Sequence, residues 1–183
     1  MNRILIYILL LVVGFTACKK KHENSIKDIK EKVNKINSKL ADYTKRQVDD
    51  LTSREGGNIT GFYRDEEVKK IYAQHFGTTS RSFTEYYFDD GMLIYVLKQD
   101  YIYNRPNNYT EDVAKAKGDS VWYDDRKTRL AISRFFFNDN IMIKWVNSDK
   151  VDVPVNSPEF LEKQSSLWAE TIILIKQLKE QQG

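Results

Sequence analysis

Apolar positions change rhythm four times along the chain. Ile4 to Val13 is continuously apolar. From Ile26 the spacing becomes helical: Ile26, Ile29, Val33, Ile36, Leu40 and Tyr43 step by 3, 4, 3, 4 and 3, with Asn24 or Ser25 available as N-cap. The phase then slips to Val48 and Leu51, and Gly56-Gly57 closes the element, which predicts a helix over 26–52. The seam lasts under three heptads, which favours packing on the protein's own sheet over a coiled coil. After Gly57 the period is two. Strands are predicted at 58–64 and 68–76 around Asp65-Glu66, and at 82–88 and 92–103 around Asp89-Asp90-Gly91. A third pair, 128–137 and 141–147, flanks Asn138-Asp139-Asn140. Ser157-Pro158-Glu159 supplies an N-cap, a first-turn proline and an early acidic group, so a last helix is predicted over 158–180.

The turns have a common chemistry. Asp90-Gly91 suits the two positive-φ positions of a type I′ turn, and Asn and Asp tolerate that geometry next best after Gly. The predicted hairpins also resemble one another: Tyr87-Phe88-Asp89-Asp90-Gly91-Met92-Leu93 precedes Phe136-Phe137-Asn138-Asp139-Asn140-Ile141-Met142 by 49 residues, with a weaker echo at Tyr63-Arg64-Asp65-Glu66-Glu67-Val68. The predicted fold class is therefore α+β: an antiparallel β-meander of about six strands over 58–147, packed by an N-terminal and a C-terminal helix. A long segment at 104–119 interrupts it. If Asp90-Gly91 are the turn, Phe88 faces Leu93, Tyr86 faces Tyr95 and Thr84 faces Leu97. The other side then pairs Tyr87 with Ile94, Glu85 with Val96 and Phe83 with Lys98. The same register pairs Phe137 with Met142 and Phe136 with Ile143. One face can be covered by the two helices; the second is either covered too or left as an aromatic patch.

The amino terminus adds an address. One basic residue, Arg3, precedes the apolar run, and small residues follow it, as in a secretory signal over 1–17. Ile4 to Ala17 is 14 residues, short of the roughly 20 a membrane span requires; a retained signal anchor is the alternative. Phe15-Thr16-Ala17-Cys18 resembles the bacterial lipobox, with Phe15 in place of the usual Leu. That resemblance implies cleavage before Cys18, a diacylglycerol on its sulfur and an acyl group such as palmitate on its amine. Several chains on one residue anchor stably. Residues 18–25 then form a short tether, and 26–183 a single domain. Cys18 is the sole cysteine, so no intramolecular disulfide forms.

Charge is segregated. Lys19 to Arg46 carries ten Lys+Arg against four Asp+Glu, and Gln47 to Gly183 carries 18 against 22. The basic stretch either lies against anionic head groups or is the solvated face of a helix. An acidic exported domain argues against nucleic acid as partner. Lys19-Lys20-Lys21 after the cysteine, rather than an acidic cluster, favours an outer-membrane lipoprotein facing the periplasm over one at the cell surface.

Aromatic content, with 3 Trp, 11 Tyr and 9 Phe, changes the picture of the sheet. Tyr suits half-wet surfaces. Tyr86, Tyr87, Tyr95, Trp122, Tyr123 and Trp145 are the candidate ligand- or partner-binding residues, the alternative being ordinary cross-strand aromatic pairing. No metal or cofactor motif is present, and His22 and His75 are too far apart in role to share a metal. Asp124-Asp125 has no turn role and stays open as a pair for acid–base hydrolysis.

The chain resembles a group of small bacterial lipoproteins built from a signal, a helix and tandem β-hairpins. The residues that carry this are Gly61-Phe62-Tyr63, Glu85 to Leu93 and Phe135 to Asn140. The resemblance implies the fold type alone. The functional expectation is a lipid-anchored envelope module that binds an envelope protein or small ligand. The alternatives are an inhibitor or accessory subunit of an envelope enzyme, and a hydrolase using Asp124 or Asp125.

Overall fold

The computed structural model describes residues 23, 25–53 and 55–180. The signal peptide, Cys18 and most of the tether lie outside the described residues. The first helix, α1, runs through residues 25–38, and Ile29, Ile36 and the following Tyr43 are buried along its stripe. It ends earlier than the predicted residue 52. A short 3-10 turn at Leu40–Asp42 follows, and Thr44–Asp49 is a strand, β1. The phase slip at Val48 is the reason. Alternation from Thr44 turns Val48 onto the sheet core beside Ile59, while Lys45 and Arg46 lie over the rings of Phe62 and Tyr63 at 5.6 and 4.5 Å.

Six further strands follow: β2 (Gly57–Arg64), β3 (Glu67–Phe76), β4 (Ser80–Asp89), β5 (Met92–Ile102), β6 (Arg129–Asn138) and β7 (Ile141–Val146). They form one antiparallel sheet in sequence order, β1 to β7. The meander therefore has seven strands, because the end of the predicted first helix supplies one. Between β5 and β6 sits the short helix α2 (Glu111–Ala116), capped by Thr110, whose hydroxyl accepts from Val113 N. The last helix, α3 (Pro158–Glu180), keeps the predicted bounds, and Ser157 Oγ accepts from Phe160 N at 3.2 Å.

The three predicted hairpins repeat one construction. Each has two consecutive positive-φ residues in its turn: Asp65 and Glu66, Asp90 and Gly91, Asp139 and Asn140. In each, the register shifts one step into the ladder, between Phe62 and Tyr63, Tyr87 and Phe88, and Phe136 and Phe137. The residue left without a partner is Lys69, Ile94 or Ile143. These bulges correct the simple register. Phe88 pairs with Leu93 and Phe137 with Met142, but Tyr87 then pairs with Tyr95, Tyr86 with Val96, Glu85 with Leu97, Thr84 with Lys98 and Phe136 with Lys144. Tyr86 and Tyr95 consequently lie on opposite faces. An extra residue in one strand flips every later side chain relative to its partner.

The two helices also take opposite faces, where one shared face was expected. Under α3, on the first face, lies the main core of Ile59, Ile71, Tyr86, Phe88, Val96, Phe135, Phe137 and Trp145 with Phe160, Leu167, Leu174 and Leu178. Gly61 makes room there, since a Cβ at this position would sit 2.6 Å from the Tyr63 ring and 3.1 Å from Leu178. Under α1, on the second face, lies a smaller cluster of Ile36, Tyr43, Tyr87 and Ile94, with Val33, Leu40, Phe62 and Tyr95 packed against it. The bulge creates this second core by turning Ile94 and Tyr95 to the same side.

Candidate binding face and cavity

Alternation along β3 to β6 sets which side chains share the second face beyond α1. The pairs Gln74–Phe83, Tyr72–Glu85, Glu85–Leu97, Arg81–Tyr101 and Tyr101–Leu130 place Tyr72, Phe76, Phe83, Leu97, Tyr101, Leu130 and Ile132 together there. None of them belongs to either buried cluster. Phe76 and Leu130 are 38% and 44% exposed, and the others are half-buried. Phe83 is the hub of this patch: it stacks with Tyr72 at 6.3 Å and meets Phe76 and Tyr101 edge-on at 6.3 and 5.4 Å. The Arg81 guanidinium lies over Tyr101 and Tyr103 at 5.0 and 5.7 Å and pairs with Asp125 at 3.1 Å. Large apolar rings held in place on an open sheet surface are suited to contact with another molecule.

Where the patch meets α1, the face deepens into a cavity of about 400 Å³. Its walls are Ile26, Ile29 and Val33 of α1 against Tyr95, Phe136 and Val146 of the sheet, and its polar residues are Lys30, Asn34, Arg134 and Lys144. Tyr95 tilts against Tyr87 and Phe136 at 5.7 and 5.0 Å. Burial pushes its phenol above the ordinary range, opposed by the charge of Arg134. Lys144 pairs with the exposed Asp152 at 2.8 Å. No acidic residue is among the described residues of the cavity wall. It can therefore take an apolar body with an anionic end.

The six candidate residues are dispersed. Tyr86 is fully buried under α3, where burial, then Glu170, raises its phenol. Tyr87 is buried under α1, and Trp145 is 6% exposed beneath α3 against Phe135 at 5.5 Å. These three rings present no surface to a partner here. Tyr95 lines the cavity. Trp122 is 37% exposed in the β5–β6 connection, and Tyr123 packs on Tyr103 at 5.2 Å beside the open patch. Phe83, Tyr72, Tyr101 and Arg81 were missed by sequence reasoning, although Phe83 and Glu85 were assigned to the same side as Tyr87. What was lacking was the bulge, which decides which β5 residues join them.

Asp124 and Asp125 have structural partners. Arg126 first, through its side chain, holds the Asp124 carboxyl below its ordinary range, with Nε at 2.9 Å. The Tyr123 hydroxyl donates to Asp125 at 3.0 Å and is the main cause of its lowered value, joined by Arg81. Both carboxylates are thus engaged by neighbouring side chains. The β5–β6 connection is knit by Asn104, which donates to Trp122 O and accepts from Asp124 N, and by Arg105–Asp119 at 3.1 Å.

A second polar cluster lies under α3 and has no sequence signature. The Asp50 carboxylate meets His75 Nδ1 and accepts from Thr52 N and Oγ1 at 2.9 and 2.7 Å. Glu170 faces His75 Nε2 at 3.8 Å. Gln177 Oε1 accepts from Leu51 N, so the chain just past β1 is fastened directly to α3.

The described residues thus define a seven-stranded antiparallel sheet clasped from opposite sides, with one half-open aromatic face leading into a basic cavity. No family model, curated protein or solved structure matches the chain. Among the described residues no helix is long and apolar enough to cross a membrane, and no group of His, Cys, Asp and Glu could hold a metal ion.

Proposed function

We propose that this protein is an exported lipoprotein, anchored in the cell envelope through Cys18, that binds a partner through the open half of its second sheet face. The observation that carries the binding role is the Phe83-centred patch, whose rings stay at the surface of a sheet otherwise covered by helices. The anchor rests on the signal and lipobox of residues 1–18. The short tether keeps the domain near the bilayer, which favours a partner in or beside the membrane. A photoreactive residue in place of Ile132 or Tyr101 tests the face in intact cells. A discrete crosslinked species should form from these positions, weaken with Phe83→Ser, and be missing when the probe replaces Ile172 on α3. Equal crosslinking from Ile172 would contradict the assignment of the face.

A further inference from the structure

We infer that the cavity between α1 and strands β5–β7 is a site for one anionic lipid, the acidic head meeting Lys30, Arg134 and Lys144 and the chain lying on Val33, Tyr95 and Phe136. Charge complementarity is the first argument. Three cations border the cavity and no carboxylate is among its described wall residues, while the rest of the wall is apolar or aromatic. Lys144 already pairs with Asp152 at 2.8 Å, but a small neutral ligand would leave Lys30 and Arg134 facing no anionic group of the described cavity wall. A purely ionic one would leave the apolar wall wet and forgo the gain of burying it. A charged head on an apolar chain satisfies both.

Position is the second argument, and it rests on the Cys18 anchor proposed above. Cys18 and Ile26 are eight positions apart, and eight residues reach at most about 29 Å. Ile26 itself lines the cavity. The site is thereby confined to the neighbourhood of the bilayer, where anionic lipid is the abundant molecule of this chemistry. Arg134 is suited to phosphate or carboxylate because its planar donors can engage two oxygens at once. It lines the cavity together with Tyr95 and Phe136 of the apolar floor.

The test uses the full chain, expressed with its leader and purified in detergent. It is titrated with fluorescent phosphatidylglycerol and with phosphatidylcholine bearing the same chains. Phosphatidylglycerol should bind at least about tenfold tighter, as expected for charge-assisted contacts. Arg134→Gln with Lys144→Gln should erase that preference, and Val33→Trp, which fills the cavity, should weaken both lipids. Equal affinity for the two lipids, or affinity indifferent to Val33→Trp, would overturn the site. Glycerol phosphate added as competitor separates lipid from free phosphate: displacement at equal concentration would overturn the lipid assignment. Running the titration on Cys18→Ser keeps the two proposals apart. Loss from membranes with retained preference supports both; a variant that stays on membranes contradicts the anchor alone, and one that is lost from membranes yet binds the two lipids equally contradicts the site alone.

Discussion

The Tyr87 hydroxyl of β4 donates to Asn37 Oδ1 of α1 at 3.1 Å, and the same oxygen accepts from Lys70 Nζ at 3.2 Å. Glu85 completes the group through contacts with Tyr87 and, at 2.9 Å, with Lys70. This is the polar bolt that holds α1 across the sheet and keeps the cavity walled. Burial first, then the Glu85 carboxylate, raises the Tyr87 phenol well above its ordinary range. The sign follows directly. Above about pH 10 the unfolded tyrosine loses its proton while the folded one keeps it, so stability present below that pH falls as pH rises toward the folded value. Tyr87→Phe is expected to cost about 1 kcal/mol at neutral pH and to flatten the alkaline decline. Urea melts with tyrosinate absorbance, at neutral pH and above pH ~10, will show both; an alkaline decline of unchanged steepness would refute the assignment.

Asp50 and His75 fasten β1 and β3 beneath α3, with the Asp50 side chain wholly buried. Asp50→Ala should cost about 3 kcal/mol, as for a buried pair that loses one partner. A double-mutant cycle with His75→Ala should return a coupling of about 1–3 kcal/mol. Additive losses would mean that the two side chains act independently.

The hairpin turns give a stability test that touches no other contact. Gly91 has φ +72° with open space around its Cβ position, so Gly91→Ala should lose about 1 kcal/mol from backbone conformation alone. Asn140 has φ +64° in the equivalent turn, and Asn140→Gly should gain about 0.5 kcal/mol. Thermal melts that move the other way would contradict the shared turn geometry.

These hairpins were the most legible part of the chain, because alternation and Asp/Asn/Gly turn chemistry both act over a few residues. Strand β1 was hidden for the opposite reason. Thr44 to Asp49 holds one apolar residue, Val48, and its pairing with β2 is a tertiary contact that local pattern does not express. The bulges at Ile94 and Ile143 were also silent, since an unpaired apolar residue looks like any other strand position. Their consequence was large: Tyr86 and Tyr95 part company, and α1 and α3 gain separate apolar faces. For the candidate site, the aromatic richness was readable, but whether the second face is open was not. Nor was the cavity, because it exists only where α1 crosses β5 to β7.

The envelope anchor at Cys18 is the central proposal for this chain, so the direct measurement is the mass of the amino-terminal peptide of the protein purified from cell membranes. The expected chain begins at Cys18, with its sulfur and amine carrying the mass of a diacylglyceryl group and an acyl chain. A chain that retains residues 1–17, or one that begins at Cys18 with a free thiol, would contradict it.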